Sequence, residues 1–400
     1  MEVSNNRLML GGIPSEKLVE DYGSPLYVYE EDKIIERYRD LVENIRHDRL
    51  KIYYACKANT NIEILKILRK LGSNIEAVSR GEVLAALKAG FKPGQVMFSC
   101  DNIHKDELEF IAKEKIRINI DSLSQLRKYG KINPGASVGI RVNQGIGAGH
   151  HNHVITGGPL SKFGIYYSQL DEAMKIAKEF DLKIDGLHQH IGSNVLDQSI
   201  FLQAMKAVIS TAKKFKNINY INFGGGFGVP YKPGEKHLNM KMLGNKIVSL
   251  FDGFCKSSGQ RPEMIFEPGR YLVCESGFLL TTVTDIKKTP KRTFVGVDSG
   301  FNHLIRPVLY GSYHPIINAS SVNGTQETIS IAGNICESGD LFADNRNITK
   351  CKEGNVLAIL NAGAYGFVMS SNYNSRPKPA EVMVKNGKSM LIRKREAIAS

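Results

Sequence analysis

Four stretches of this 400-residue chain carry residue types suited to chemistry. Lys51-Ile-Tyr-Tyr-Ala-Cys-Lys57-Ala-Asn59 begins as a strand-like run and ends on one lysine. An amine directly after an apolar run sits at the mouth of a core, where partial desolvation favours its neutral form, nucleophilic toward carbonyls. Read alone, Lys57 also fits a lysine snorkelling from a strand end. Gly224-Gly-Gly-Phe-Gly228 lacks the G-x-G-x-x-G spacing of a dinucleotide site, but its consecutive glycines let backbone N–H groups come close to a phosphate. Arg270 could supply the counter-charge. In His188-Gln-His190-Ile-Gly-Ser193, alternation puts both histidines on one face, so either can stack on a planar ring, and Ser193 can donate to a phosphate. Two satisfied strand histidines is the plainer reading. Glu267-Pro-Gly-Arg270 offers a carboxylate that can pair with a pyridine nitrogen and keep it protonated. A lysine, a phosphate cradle, a stacking ring and a carboxylate together point to pyridoxal phosphate, which none of them does alone.

These residues need a scaffold that brings them together. From Lys51 a rhythm sets in, with apolar runs at 51–56, 74–78, 95–99, 117–121, 138–142, 184–190, 218–223 and 263–267, each followed by a helical pattern. Strand–helix alternation predicts parallel strands with right-handed crossovers, and eight units close into a (β/α)8 barrel. The runs end at or near Lys57, Glu76, Ser99, Asp121, Arg141, His190, Gly224 and Glu267. Polar groups at the carboxyl ends of barrel strands converge on one mouth, where barrel enzymes place their sites. After about residue 278, alternating runs at 280–286, 293–298, 328–333, 355–360 and 380–385 predict a mainly antiparallel β domain. The predicted division is a barrel over 30–275 and a β domain from 1–29 plus 276–400, with the strand at 26–29 joining the latter. Helices are expected from Pro14 to Tyr22 and from Glu31 to Ile45.

Composition narrows the class. No apolar run approaches the ~20 residues needed to span a bilayer, and the N-terminus lacks a signal-peptide pattern, so a cytoplasmic location is expected. Cys56, Cys100, Cys255, Cys274, Cys336 and Cys351 form no C-x-x-C pair, which predicts reduced thiols, one of them a candidate for catalysis. The net charge of +13 is spread over amphipathic segments without a basic arm, which fits a solvated surface rather than a nucleic-acid partner. His150, His151 and His153 lie close enough to hold a metal, but no acidic or thiol partner has useful spacing, and no metal is expected.

The chain resembles the fold-type-III pyridoxal-phosphate-dependent decarboxylases, whose fold is alanine racemase-like, and among them the branch acting on diaminopimelate. The likeness runs through Tyr54-Ala-Cys-Lys-Ala-Asn59, the Gly-His-His-Asn-His-Val-Ile-Thr-Gly-Gly loop, Ser161-Lys-Phe-Gly164, His190-Ile-Gly-Ser193, Gly224-Gly-Gly226 and Glu267-Pro-Gly-Arg270. It continues in Arg306-Pro-Val-Leu-Tyr310, Cys336-Glu-Ser-Gly-Asp340, Gly363-Ala-Tyr365 and Ser370-Ser-Asn-Tyr-Asn-Ser-Arg376. The resemblance implies that Lys57 holds pyridoxal 5'-phosphate covalently and that His190 stacks on its ring. Ser193, Gly226 and Arg270 would hold the phosphate, and Glu267 the pyridine nitrogen. Arg306 and Tyr310, together with Arg270, would bind the end of the substrate that does not react. Glu337 would take the distal ammonium, and Tyr365 would touch cofactor and substrate. Cys336 would donate a proton from the partner subunit of a homodimer. The implied reaction takes meso-2,6-diaminopimelate to L-lysine and carbon dioxide. Gln189, Asn194 and Gly311-Ser-Tyr-His314 depart from the usual pattern. A relative acting on another amino acid, and a silent protein of the same fold, are the alternatives. The retained Arg306, Tyr310 and Glu337 argue against the first, and the retained Lys57 and Cys336 against the second.

Overall fold

The eight apolar runs become eight parallel strands: Leu50–Ala55, Asn74–Ala77, Val96–Ser99, Arg117–Ile120, Ser137–Asn143, Lys183–His188, Tyr220–Asn222 and Glu263–Phe266. Each pairs with the next in sequence. The eighth then pairs with the first, Met264 opposite Leu50 and Phe266 opposite Ile52, which closes the barrel. The computed structural model describes residues 2–147 and 156–398. Within them the chain divides into two units, one from Arg37–Val229 with Lys236–Tyr271, the other from Met1–Glu36, Pro230–Glu235 and Leu272–Ser400.

Strands covered on both faces can be apolar throughout, which is why these runs are continuous rather than alternating. After several of these runs a polar residue caps the next helix. Asn61 Oδ1 accepts from Glu63 N–H (3.0 Å), Ser79 Oγ from Glu82 N–H (3.2 Å) and Ser122 Oγ from Gln125 N–H (3.1 Å), so each helix has a defined start. The barrel interior is filled. Tyr53, Met97, Tyr220 and Ile265 pack together, and Tyr220 donates to Asn119 Oδ1 at 2.6 Å. Glycine is required beside that ring: a Cβ on Gly139 or Gly186 would come within 2.0 Å of Tyr220.

The second unit is built on Gly277–Lys288, which pairs antiparallel with Thr293–Val297, Val356–Ile359 and Leu26–Glu30. Leu26–Glu30 therefore does join this sheet, lying parallel to Ala380–Lys385 on its other side. Six strands of this unit lie outside the sequence reading: Glu2–Ser4, Arg7–Leu10, Ile13–Pro14, Ile316–Asn318, Leu341–Thr349 and Lys388–Arg393. Leu8, Leu26, Val28, Leu280, Ala358 and Val382 form the unit's core. Helices occupy Ser15–Tyr22 and Glu31–Asn44. Among the described residues no helix is long and apolar enough to cross a membrane.

Candidate active site

A cavity of about 290 Å³ opens at the barrel mouth, lined by Lys57, Glu76, Ser99, Arg141, His188, His190 and Glu267 among others. Six of the eight strands contribute. Thr156 and Phe163, from the long loop after the fifth strand, also face it, and Thr156 Oγ1 donates to His190 O at 3.1 Å. His150, His151 and His153 of that loop lie outside the described residues. Among the described residues no group of histidine, cysteine and acidic side chains is placed to hold a metal.

Lys57 sits in the short turn Cys56–Ala58 that ends the first strand. Its ammonium pairs with Glu76 from the end of the second strand, whose side chain is buried. Burial raises the Glu76 carboxyl, Lys57 pulls it back, and the balance leaves it at about 7.

Glu267, from the end of the eighth strand, is held from two sides. His188 Nε2 lies 3.0 Å from its Oε2, and Asn222 Nδ2 donates to its Oε1 at 2.6 Å. Burial opposes the charge, but His188, by charge and hydrogen bond, together with Lys57 and His190, holds the carboxyl below the usual range. The site therefore presents a buried, oriented anion.

Gly225 N–H donates to His190 Nδ1 at 3.0 Å. A backbone N–H only donates, so Nδ1 carries no proton and the ring is neutral, protonated on Nε2. Burial, then the cations Arg141 and Lys57, push His190 well below its ordinary pKa. The unfolded chain takes up this proton below about pH 6.5 and the folded one does not. Stability is therefore lost as pH falls through that value. The melting temperature of cofactor-free protein should drop between pH 7.5 and 5, and drop less for His190→Phe. An equal drop in both proteins would assign the acid sensitivity elsewhere.

The glycine run follows the seventh strand. Gly224 and Gly226 have φ of 74° and 99°. A Cβ on Gly226 would lie 2.7 Å from Gly192 O, and one on Gly225 2.1 Å from Glu267 O. Only glycine lets this backbone pass so close to the ends of the sixth and eighth strands. Beside it, the buried Arg270 donates from Nη2 to Ser193 Oγ at 3.0 Å. An arginine, a hydroxyl and a side-chain-free backbone suit a phosphate. A neutral imidazole face suits a planar ring, and the buried Glu267 suits a protonated ring nitrogen. The set fits pyridoxal phosphate in each part.

The remaining predicted residues belong to the other unit. Arg306 is fully buried at the start of the helix Arg306–Tyr310, and donates to Ser312 Oγ (3.2 Å) and His314 Nε2 (3.4 Å). Its guanidinium also lies over the rings of Tyr231 (5.4 Å) and Tyr310 (5.7 Å). The departure at Gly311-Ser-Tyr-His314 thus supplies neutral acceptors to that arginine. Tyr365 is half-buried with φ 57°, a left-handed conformation costly for a bulky side chain and therefore imposed by its surroundings. Cys336 and Glu337 are exposed on one loop.

Sequence reasoning marked Glu76 and Arg141 as strand ends without giving them tasks, and passed over Asn222. The signal for Asn222 was a polar residue inside the short apolar run 218–223. It serves twice, orienting Glu267 and accepting Gly224 N–H at 2.9 Å.

A family model described as the pyridoxal-binding domain of pyridoxal-dependent decarboxylases matches residues 31–274. A diaminopimelate decarboxylase of Methanothermobacter thermautotrophicus is 44% identical, the match covering 98% of this chain and 94% of the relative. One from Escherichia coli K12 is 37% identical over 96% of this chain and 94% of its own. Among solved structures, the diaminopimelate decarboxylase of M. jannaschii in complex with L-lysine superimposes with a TM-score of 0.91 at 33% identity, covering 100% of this chain and 95% of that one. Matched across its barrel by the family's model and along nearly its whole length by relatives that share it, the chain belongs to the pyridoxal-dependent decarboxylases.

Proposed function

We propose that this enzyme decarboxylates meso-2,6-diaminopimelate to L-lysine and carbon dioxide, the last step of lysine formation by that route. The observation that carries the reading is the 44% identity over 98% of the chain to a diaminopimelate decarboxylase. Arg306, Tyr310 and Glu337 support it as a polar set for a second amino-acid group.

Pyridoxal phosphate, when bound, supplies a conjugated ring that accepts the electron pair left when the Cα–carboxylate bond breaks. Lys57 would hold the cofactor covalently through its side-chain amine. Ser193, Gly226 and Arg270 would hold its phosphate, and the neutral ring of His190 would pack against its ring. Glu267, oriented by His188 and Asn222, keeps a proton on the ring nitrogen. Arg306 and Tyr310, with Arg270, bind the substrate's distal carboxylate, Glu337 its distal ammonium, and Tyr365 packs against cofactor and substrate. The carboxylate leaves with both its oxygens as carbon dioxide, and Cys336 Sγ would deliver the proton that takes its place at Cα. Its thiolate is reprotonated from water. In this reading two chains pair, and each site takes Cys336 from the partner subunit.

Purified protein with pyridoxal phosphate and meso-diaminopimelate should release L-lysine and carbon dioxide in equal amounts. Simple diamines and monoamino acids should react far more slowly, because a site built for a charged group leaves its own charges unpaired without one. Robust turnover of another diamino acid with none of diaminopimelate would overturn the substrate assignment.

A further inference from the structure

The motif Ser370-Ser-Asn-Tyr-Asn-Ser-Arg376 has no task in the reaction above. In the structure it lies against the loop that carries Cys336 and Glu337, within the same unit. Tyr373 Oη donates to Glu337 Oε1 at 2.7 Å. One residue on, Asn374 Oδ1 accepts the Cys336 backbone N–H at 2.9 Å. Arg376 Nη2 donates to Asn334 O at 3.0 Å and ties down the start of the loop. From beneath, the buried Asp340 carboxylate accepts from Phe301 N–H (2.7 Å) and Ile335 N–H (2.8 Å). The Tyr373 ring in turn stacks on Phe301, with centroids 5.7 Å apart and planes 22° from parallel.

Two features separate this from ordinary loop packing. The two side-chain bonds reach the two adjacent residues to which the proposed chemistry falls, one each. And the backbone is bent to deliver them: Asn374 and Ser375 are both left-handed, with φ of 56° and 55°. Asparagine tolerates that region, but serine does so at a cost, and two in succession persist only where the surroundings impose them. An exposed glutamate otherwise samples several rotamers. A hydroxyl on Oε1 selects one and leaves Oε2 outside that bond, available to a cation.

We propose that residues 373–376 form a clamp in which Tyr373 is a specificity-determining positioning residue. It aims the Glu337 carboxylate at the cationic end of a diamino acid, while Asn374 fixes the Cys336 backbone beside it. The proposal rests on the assignment of Glu337 to the substrate's distal ammonium.

Wild-type turnover of meso-diaminopimelate tests the functional reading by itself. Given that turnover, Tyr373→Phe keeps the ring on Phe301 and loses only the hydroxyl. Its KM should rise about five- to tenfold with kcat within about twofold, as for loss of a hydrogen bond to a charged group. Calorimetric binding of L-lysine to the cofactor-loaded enzyme should weaken by a similar factor, while the Kd for pyridoxal phosphate, from absorbance titration, stays unchanged. Glu337→Gln is the reference and should raise KM and the lysine Kd at least as much. If Glu337→Gln moves both quantities and Tyr373→Phe moves neither, the clamp is wrong and the functional reading stands. If neither variant moves them, Glu337 does not hold the cation and the clamp falls with that assignment. A fall in kcat alone for Tyr373→Phe also overturns the proposal, because it would place the hydroxyl in the chemistry rather than in recognition.

Discussion

The Lys57→Ala protein is expected to lose turnover by about 10³-fold or more, the scale of removing a covalent nucleophile. It should also lose the visible absorbance of lysine-bound pyridoxal phosphate. The cofactor should still associate, held non-covalently by Ser193, Gly226 and Arg270, so equilibrium dialysis retains binding that absorbance no longer reports. The fold should survive. Glu76 loses its cation, but burial holds that carboxyl at about 7 even against the pull of Lys57, so a proton can take the lysine's place. Borohydride treatment of the wild type, followed by peptide mass mapping, gives a direct test. The label should sit on the peptide containing Lys57, and a label on any other lysine would make that residue the anchor instead.

Cys336→Ala should bind pyridoxal phosphate like the wild type and turn over about 10²- to 10⁴-fold more slowly, the range for loss of a positioned proton donor. Alanine preserves the backbone N–H that donates to Asn374, and the side chain is exposed, so the loop should hold its shape. Unchanged turnover would remove Cys336 as the acid. The pairing of chains can be tested with the same variants. Equal amounts of Lys57→Ala and Cys336→Ala subunits, unfolded and refolded together, should recover about one quarter of wild-type activity if each site draws on two chains. Half of the dimers would then be mixed, each with one intact site. No recovery would place both residues of a site on one chain.

The barrel was legible in the sequence because its signal is local. Each strand is covered on both faces, so it reads as a short continuous apolar run, and several of the following helices start at a capping residue such as Ser79 or Ser122. Eight such units admit few arrangements other than closure, and closure alone gathers Lys57, Glu76, His190 and Glu267 at one end. Lys57 became a candidate through its place after a strand together with the other strand ends, and the glycine run through its composition.

The strands that escaped have no such signal. Leu341–Thr349 reads Leu-Phe-Ala-Asp-Asn-Arg-Asn-Ile-Thr, apolar only at its ends, and its order comes from pairing with Gln326–Ala332. Lys388–Arg393 is an edge strand with an exposed face, held by Ala380–Lys385. In both, a neighbour supplies what composition does not.

The site divides in the same way. By itself the sequence determined which residues could do chemistry and which end of the barrel they occupy, since residue type and position along a strand are properties of the local chain. Only the tertiary structure decided their states. Glu267 is an oriented anion because His188 and Asn222, 79 and 45 residues away, turn their side chains onto it. His190 is neutral because a backbone N–H from 35 residues on occupies its Nδ1. Glu337 is aimed because Tyr373, 36 residues along the chain, meets it. Protonation and orientation are set by desolvation and by partners across space, and neither exists until the chain has folded.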